Sequence, residues 1–334
     1  MGTNSFEAWV VTDGRVGNET QGLGLAEAAA RLLPMRIVIK RIKIGAPWAL
    51  LPHEVWGNPF ARLSPAGALL RPPYPDLWFA CGKLSAPFTL AVKARSARTF
   101  TVQAQRPRVA LRDIDLLVPP LHDRAAGENV FPILGSPGRV TLERLAADAA
   151  QLSPAIAHLP RPRVAVLIGG KNRAYAPSER WRARIGADLR ALADAGAGLM
   201  ITPSQRTDPE TTAAIAAALK DRPHFLWSGA PVAGLANPYF GVLGAADHVL
   251  VTGDSVNMAT EAAATGKPVH VLALDRAPLS FSDRKFAQFH RMLREKGIAR
   301  PFAGALETWT YEPLDETARA AEEIVRRFRL VRGL

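Results

Sequence analysis

The most constraining feature of this sequence is a pattern that occurs twice, an apolar strand followed by a glycine turn and a helix. Near the N-terminus, Glu7–Thr12 leads into the turn Asp13–Asn18, and in the second half Arg163–Ile168 leads into Gly169 and Gly170. Further strands and helices alternate after both copies. Such alternation predicts parallel sheets covered by helices on both faces.

A proline-rich segment, Leu159–Pro162, separates the two copies and is typical of a stiff linker. The chain has 334 residues, and domains usually have about 100–200 residues. We therefore expect a first domain over residues 1–155, a second over 161–313, and a last helix that begins near residue 314.

The composition excludes several classes of protein. Apolar residues make up 48% of the chain and charged residues 22%, which argues against disorder. The single cysteine, Cys81, excludes an intrachain disulfide. No apolar run approaches the roughly 20 residues of a membrane-spanning helix. These observations favour a cytoplasmic protein. The net charge of +12 indicates an attraction to anions such as nucleotides, phosphosugars, acidic lipid or nucleic acid.

The turn after the first strand is a candidate catalytic site, because ligands of parallel sheets bind beyond the carboxyl ends of the strands. Gly14 and Gly17 let backbone amides approach a ligand, and Asp13 or Glu19 could act as a general base. The alternative is a tight turn in which Glu19 complements the positive end of the following helix.

His122 and Asp123 follow another short strand and form a candidate acid–base pair. A loop histidine beside a capping aspartate is the equally open alternative.

In the second half, Gly169, Gly170, Lys171 and Asn172 follow the most apolar strand. Backbone amides and a cation suit a diphosphate, although a flexible loop with a surface cation has the same composition.

Ser204 and Arg206 follow the next strand and could hold phosphate oxygens. Alternatively, this loop only caps the helix that begins near Pro209.

The segment after the strand His248–Thr252 carries Asp254, Ser255, Asn257 and Glu261. Ser255 can cap a helix whose N-terminus holds a phosphate. Glu261 lies one turn further along and could accept hydrogen bonds from ribose hydroxyls. The alternative is an exposed glutamate on a capped helix. No cysteine–histidine cluster has zinc spacing, so we predict no metal site. Basic and aromatic residues are not clustered as nucleic-acid binding requires, so we expect no nucleic-acid partner.

The spacing of Glu261, Gly266 and Pro268 resembles the nucleotide-sugar site of GT-B glycosyltransferases. A second resemblance covers nearly the whole chain, and points to the "elongated mitochondria" fission-factor family, with this chain as a bacterial member. It is carried by Thr12-Asp13-Gly14, Gly17-Asn18-Glu19-x-Gln21-Gly22-Leu23, Pro120-x-His122-Asp123, Ile168-Gly169-Gly170, Thr202-x-Ser204-x-Arg206, Asp254-Ser255-x-Asn257-Met258 and Glu261-Ala262.

These resemblances imply a GT-B-like α/β fold, with two Rossmann-like domains facing across a cleft and the C-terminal helix 314–334 completing the first domain. They imply a nucleoside-diphosphate sugar as substrate, with a UDP-sugar favoured, and no tightly bound cofactor. The expected activity is metal-independent sugar transfer to a cell-envelope acceptor, lipid-linked or lipopolysaccharide, by a cytoplasmic protein that could lie against an acidic membrane surface at its inner face. Two alternatives stay open: a non-catalytic scaffold of the fission-factor type, and an epimerase or hydrolase acting on the same nucleotide sugar.

Overall fold

The structure is a computed structural model that describes residues 5–107, 111–277 and 283–334. Contacts within the chain divide it into two units. The first unit runs up to Arg139 and also includes Asp315–Leu334, and the second unit is Val140–Leu314.

The first unit is built on a parallel sheet. In chain order its elements are β1 (Phe6–Thr12), α1 (Val16–Ala30), β2 (Met35–Arg41), β3 (Leu77–Cys81), α2 (Ala86–Lys93), β4 (Phe100–Ala104) and β5 (Leu116–Val118). The strands lie in the order β2-β1-β3-β4-β5. Strands β3 and β4 are buried along their whole length, as expected of a parallel sheet whose two faces are both covered.

The second unit is also built on a parallel sheet, in the order β11-β10-β9-β6-β7-β8. Its elements are α3 (Leu142–Leu152), β6 (Arg163–Ile168), α4 (Glu179–Asp194), β7 (Gly198–Pro203), α5 (Pro209–Ala218), β8 (His224–Leu226), α6 (Tyr239–Ala245), β9 (His248–Thr252), α7 (Val256–Ala263), β10 (Val269–Leu272), α8 (Arg284–Glu295) and β11 (Ala299–Pro301). Read from β8, this is the strand order of dinucleotide-binding domains. The predicted α/β class with parallel sheets is confirmed.

The last helix, α9 (Glu316–Arg332), packs on the first unit. Asp315 caps it by accepting the Ala318 N–H at 3.2 Å. Phe328 is fully buried, and its ring meets the ring of Phe6 edge to face at 5.1 Å. This apolar contact explains why the C-terminal segment groups with residues far away in the sequence.

The boundary between the units lies earlier than residue 155, the end of the first domain expected from the sequence. Helix α3 packs tightly on α6, so it belongs to the second unit. A Cβ atom added to Gly244 of α6 would lie 2.1 Å from the carbonyl oxygen of Leu145, and one added to Gly241 would lie 2.7 Å from that of Asp148. Glycines therefore let the two helix backbones approach, a tertiary effect that the linker sequence does not reveal.

Candidate functional site

In the second sheet, the strand order reverses between β6 and β9. The crevice beyond the carboxyl ends of the strands at such a reversal is the usual ligand site of open α/β sheets. The turn Gly169-Gly170 follows β6, the turn Gly253-Asp254 follows β9, and Arg206 follows the neighbouring strand β7. The structure thus brings most of the residues predicted for the second half to one edge of one sheet.

Asp254 is the centre of this edge. Its side chain is fully buried and accepts hydrogen bonds from the Gly170 N–H at 3.1 Å and the Thr252 hydroxyl at 2.6 Å. The Arg206 guanidinium forms an ion pair with the same carboxylate at 2.7 Å. The Gly169 N–H donates to the Thr252 hydroxyl at 2.8 Å. The backbone amides of Gly169 and Gly170, which the sequence predicts to bind a diphosphate, are therefore hydrogen-bonded to oxygens of the protein itself. Asp254 pairs with Arg206, whereas the sequence predicted that each residue would contact the ligand separately.

The two glycines after β6 are required by this close packing. A Cβ atom on Gly169 would lie 2.1 Å from a carboxylate oxygen of Asp254, and one on Gly170 would lie 1.8 Å from the carbonyl oxygen of Arg206. Both distances are far below van der Waals contact. The contact between the two loops is therefore sufficient to explain why both positions are glycine.

The loop after β7 is held by Thr207, a residue that the sequence analysis missed. Its hydroxyl lies 2.8 Å from the carbonyl oxygen of Ile168 and 2.6 Å from that of Gly169. Ser204 also contributes to the loop, since its hydroxyl accepts the Arg206 N–H at 3.2 Å. Asp208, not Ser204, caps α5 by accepting the Thr211 N–H at 2.6 Å. The loop leaves Arg206 38% exposed and so available to a ligand.

Ser255 caps α7, as predicted, by accepting the Met258 N–H at 3.3 Å. The Asn172 side chain bridges the two turns, because its amide donates to the Asp254 carbonyl oxygen at 3.2 Å while its oxygen accepts the Ala174 N–H at 2.7 Å. Lys171 is exposed, and Asn257 lies half-buried in the first turn of α7.

Glu261 is buried on α7, which argues against the alternative of an exposed helix glutamate. It is 8% exposed, and its Oε2 accepts a hydrogen bond from the Tyr239 hydroxyl at 2.8 Å. Burial and the adjacent carboxylate raise the pKa of Tyr239 well above its ordinary value, so the phenol stays protonated and donates. Tyr239 opens α6, and no motif in the sequence pointed to it.

His290 of α8 is a further residue missed by the sequence analysis. Its Nε2 lies 2.8 Å from the Gly253 carbonyl oxygen, and this contact stabilises the turn after β9. Burial lowers the pKa of His290, so a neutral ring is favoured. The only sequence signal was a histidine at an apolar position of a charged segment.

The first sheet has its own reversal between β1 and β3, where its ligand crevice is expected. Asp13 follows β1 and its side chain is 8% exposed. The Asn18 amide donates to both oxygens of Asp13, at 3.1 and 3.3 Å. The thiol of Cys81, the last residue of β3, lies 3.7 Å from the Asn18 side-chain oxygen, and burial with the nearby Asp13 raises the pKa of this thiol. Asp13 also accepts the Arg15 N–H at 3.2 Å, and the exposed Arg15 guanidinium lies 3.6 Å from its carboxylate.

The glycines of this turn have different roles. Gly14 adopts a left-handed conformation (φ +79°) and donates its N–H to the Thr12 hydroxyl at 3.1 Å. Gly17 lies in the first turn of α1.

Glu19 and His122 are the other two candidate bases. Arg41 binds Glu19 through two hydrogen bonds of 2.7 Å, which neutralises that carboxylate. His122 follows β5, three strand positions from β1, or about 14 Å at the usual strand spacing. The His122 Nε2 lies 3.9 Å from the Asp123 carboxylate, too far for a hydrogen bond. The three residues are alternatives and not one constellation.

Two further findings concern metals and membranes. Within residues 5–107, 111–277 and 283–334, no group of three or more His, Cys, Asp or Glu side chains could hold a metal ion. Among the helices of those same ranges, none has the length and apolar character needed to cross a membrane.

The two parallel sheets and their strand-end turns define a GT-B-like α/β protein. The solved UDP-GlcNAc 2-epimerase from Methanocaldococcus jannaschii has a TM-score of 0.54 at 10% identity, and the match covers 96% of this chain and 98% of that one. A putative UDP-N-acetylglucosamine 2-epimerase from Listeria monocytogenes has a TM-score of 0.56 at 12% identity, with 97% and 96% covered. At such low identity the likeness shows the fold alone.

The chain belongs to the family described as mitochondrial fission ELM1, whose pattern it matches over residues 16–328. It is 31% identical over 289 residues to the mitochondrial fission protein ELM1 of Arabidopsis thaliana, a match that covers 75% of this chain but 64% of that protein. The chain therefore spans less than two thirds of the plant relative. An uncharacterized protein of Rickettsia prowazekii is 24% identical over 362 residues, covering 95% of this chain and 97% of its own. The family resemblance identified from the sequence is confirmed.

Proposed function

We propose that this protein binds a nucleoside-diphosphate sugar, with a UDP-sugar favoured, and transfers the sugar to a cell-envelope or lipid-linked acceptor without a metal ion. The observation that carries the proposal is the meeting of Arg206, the Gly169-Gly170 turn and the N-terminus of α7 at the strand-order reversal of the second sheet. The M. jannaschii epimerase of the same fold was solved with UDP-GlcNAc and UDP, which supports this donor class.

The internal pairing of Asp254 decides which groups we assign to the diphosphate. The Gly170 amide already serves Asp254, so Arg206, Lys171 and the first amides of α7, around Ser255 and Asn257, are the groups we assign to the phosphates. Asp254 then orients the Arg206 guanidinium through the ion pair between them. Gly169 and Asn172 shape the turn, and Ser204 shapes the loop of Arg206.

We assign Glu261 to the ribose of the donor. One of its oxygens accepts the Tyr239 hydroxyl, which orients the carboxylate. A buried carboxylate that also accepts hydrogen bonds from ribose hydroxyls would gain partners suited to its charge.

For the transfer step, Asp13 is the base we favour, with Gly14 and Gly17 shaping its turn. Asp13 takes the proton of an acceptor hydroxyl, the acceptor oxygen bonds to the anomeric carbon, and the bond to the diphosphate breaks. Arg206, Lys171 and helix amides stabilise the departing charge. Glu19 is the weaker alternative because Arg41 binds it through two hydrogen bonds of 2.7 Å, whereas Arg15 lies 3.6 Å from Asp13. His122 is the other alternative. The net charge of +12 suits an acceptor or a membrane surface that is anionic.

Two other functions are supported by specific observations. The solved epimerases share the fold, which supports an epimerase or hydrolase that would change or release the sugar without an acceptor. The carboxylate of Asp254 already fills the glycine cradle, which supports a scaffold that has kept the fold and binds no nucleotide.

The test is a thermal-shift panel of nucleoside diphosphates and their sugars, with and without Mg²⁺. A UDP-sugar should raise the melting temperature independently of Mg²⁺. Glu261→Gln and Arg206→Met should lose about tenfold or more in affinity, while the exposed control Glu295→Ala should bind like the wild type. Free UDP and an altered sugar, found by analysing the products of a reaction without acceptor, would identify the epimerase or hydrolase. No shift with any nucleotide would contradict the donor site and favour the scaffold.

A further inference from the structure

The connection between β2 and β3 carries an exposed apolar segment, Ala46–Val55, which we call the apolar loop. It includes the run Ala-Pro-Trp-Ala-Leu-Leu-Pro at 46–52. Leu50 is 90% exposed, Leu51 37% and Val55 57%. Proteins rarely leave contiguous apolar residues in water without a partner. The loop therefore requires an explanation that its own fold does not supply.

The apolar loop is attached to a packed base. Trp56, directly after it, is 1% exposed, and its ring meets the ring of Phe88 at 6.3 Å. Just before the loop, Ile44 pairs with Leu63 in an antiparallel bridge, and the Gly45 N–H donates to the Arg62 carbonyl oxygen at 2.9 Å. The segment is thus attached to a packed base, whereas Leu50, Leu51 and the adjacent Ala49 and Pro52 are exposed.

Several backbone amides of the loop form hydrogen bonds within successive tight turns. The Trp48 N–H donates to Gly45 and the Leu50 N–H to Pro47, both at 3.0 Å, and the Leu51 N–H donates to Trp48 at 3.2 Å. An apolar phase demands such internal pairing, because it offers no water to unpaired amides. These internal bonds reduce the number of backbone groups that the loop would leave unpaired at a lipid surface.

The surroundings of the loop are basic. Residues 40–75 contain five basic side chains and one acidic side chain, namely Lys40, Arg41, Lys43, Arg62 and Arg71 against Glu54. Lys43 is exposed, and the Arg62 guanidinium stacks on the Trp48 ring at 3.7 Å. An apolar tip with a cationic flank is complementary to a bilayer that carries anionic headgroups.

We propose that the apolar loop docks this protein on an anionic lipid bilayer, with Leu50 and Leu51 entering the headgroup boundary and Lys43 and Arg62 contacting phosphate. The inference rests on the proposed function only for the expected membrane location, and not on the donor site. Apolar contact and charge attraction are each weak alone, so both are needed and the binding is reversible and sensitive to salt.

The first experiment is co-sedimentation of the full chain with vesicles of phosphatidylcholine, alone or mixed with phosphatidylglycerol. The wild type should sediment only with the mixed vesicles and should be released by salt. The Leu50→Ser/Leu51→Ser double variant should lose on the order of tenfold or more in partitioning, and Lys43→Glu should lose binding as well. Leu142→Ser, at an exposed leucine of α3 (71%), is the matched control and should bind like the wild type.

A second experiment reads insertion directly. Cys81 is buried and is the only cysteine, so Leu50→Cys can be labelled selectively with an environment-sensitive fluorophore. The label should gain intensity and shift to the blue on mixed vesicles, whereas a label on Leu142→Cys should not.

Several results would overturn the proposal. One is a wild type that ignores mixed vesicles, and another is a double serine variant that binds them unchanged. Loss of binding in Leu330→Ser/Val331→Ser instead would assign the surface to the exposed end of α9. A concentration-dependent dimer without lipid, lost in the Leu50→Ser/Leu51→Ser variant, would assign the loop to a second copy of the chain. Nucleotide thermal shifts on the same variants separate this failure from failure of the donor site.

Discussion

Replacing Gly170 by alanine tests the packing of the strand-end turns in the second unit. The added Cβ atom would lie 1.8 Å from the Arg206 carbonyl oxygen and 2.8 Å from the Thr207 nitrogen. Both are backbone atoms, and the Thr207 hydroxyl fixes their loop at 2.8 Å from the Ile168 carbonyl oxygen. The clash cannot be relieved by rotating a side chain, so one of the two loops has to move.

The expected cost follows from two contributions. Overpacking of a well-packed site costs about 1–3 kcal/mol. Moving the turn also disrupts the hydrogen bond from the Gly170 N–H to Asp254, and bonds to charged groups contribute about 1.5–3 kcal/mol. We therefore expect the free energy of unfolding to fall by about 2.5–6 kcal/mol.

Gly253→Ala is the matched control. It lies in the opposite turn of the same site, and its added Cβ atom would have its nearest neighbour at an ordinary 3.5 Å. We expect a change within about 1 kcal/mol for this variant. Urea titrations followed by far-ultraviolet circular dichroism compare both variants with the wild type. A Gly170→Ala protein within about 1 kcal/mol of the wild type would refute the packing of these two loops.

Three further predictions concern stability and reactivity. Burial and the neighbouring His248 lower the pKa of His270 to about 4 from its ordinary 6.5. The unfolded chain therefore binds more protons between these pH values, so the free energy of unfolding should fall by up to ~3 kcal/mol as the pH drops from 6.5 to 4. Urea titrations across this range should show this dependence on pH, and His270→Gln should weaken it. Phe328→Ala should cost about 3–5 kcal/mol in denaturant titrations because Phe328 is fully buried, whereas Leu330→Ala at an exposed position should change stability by less than about 0.5 kcal/mol. Because burial raises the pKa of Cys81, a thiol reagent at mildly alkaline pH should react with it far more slowly in the folded protein than in denaturant; equal rates would contradict its burial.

The strands next to the site could be predicted well from the sequence. The strand Arg163–Ile168 has the bounds that its apolar run predicts. The first helix begins at Val16, inside the segment Asp13–Asn18 that the sequence predicts as a turn. Gly17 lowers the helix propensity of this segment, so the start of the helix is not evident from the sequence.

Two helices could not be read from the sequence. Helix α6 contains Gly241 and Gly244, which lower its intrinsic propensity but allow close contact with α3. Helix α8 is rich in charged residues and buries only a narrow face through Phe289 and Leu293. In both cases tertiary packing outweighs the local signal.

The sequence by itself determined the class of the fold and the positions of the glycine turns after the strands, because apolar periodicity and glycine turns are local properties of the chain. Only the tertiary structure decided what the candidate residues do with one another. Asp254 and Gly170 lie 84 positions apart, and they meet because the strand order sets β9 beside β6. Glu261 likewise meets Tyr239 from another helix, and Glu19 of helix α1 meets Arg41 of strand β2. Hydrogen bonds and ion pairs act over a few ångströms in space, and distance along the chain does not reveal them.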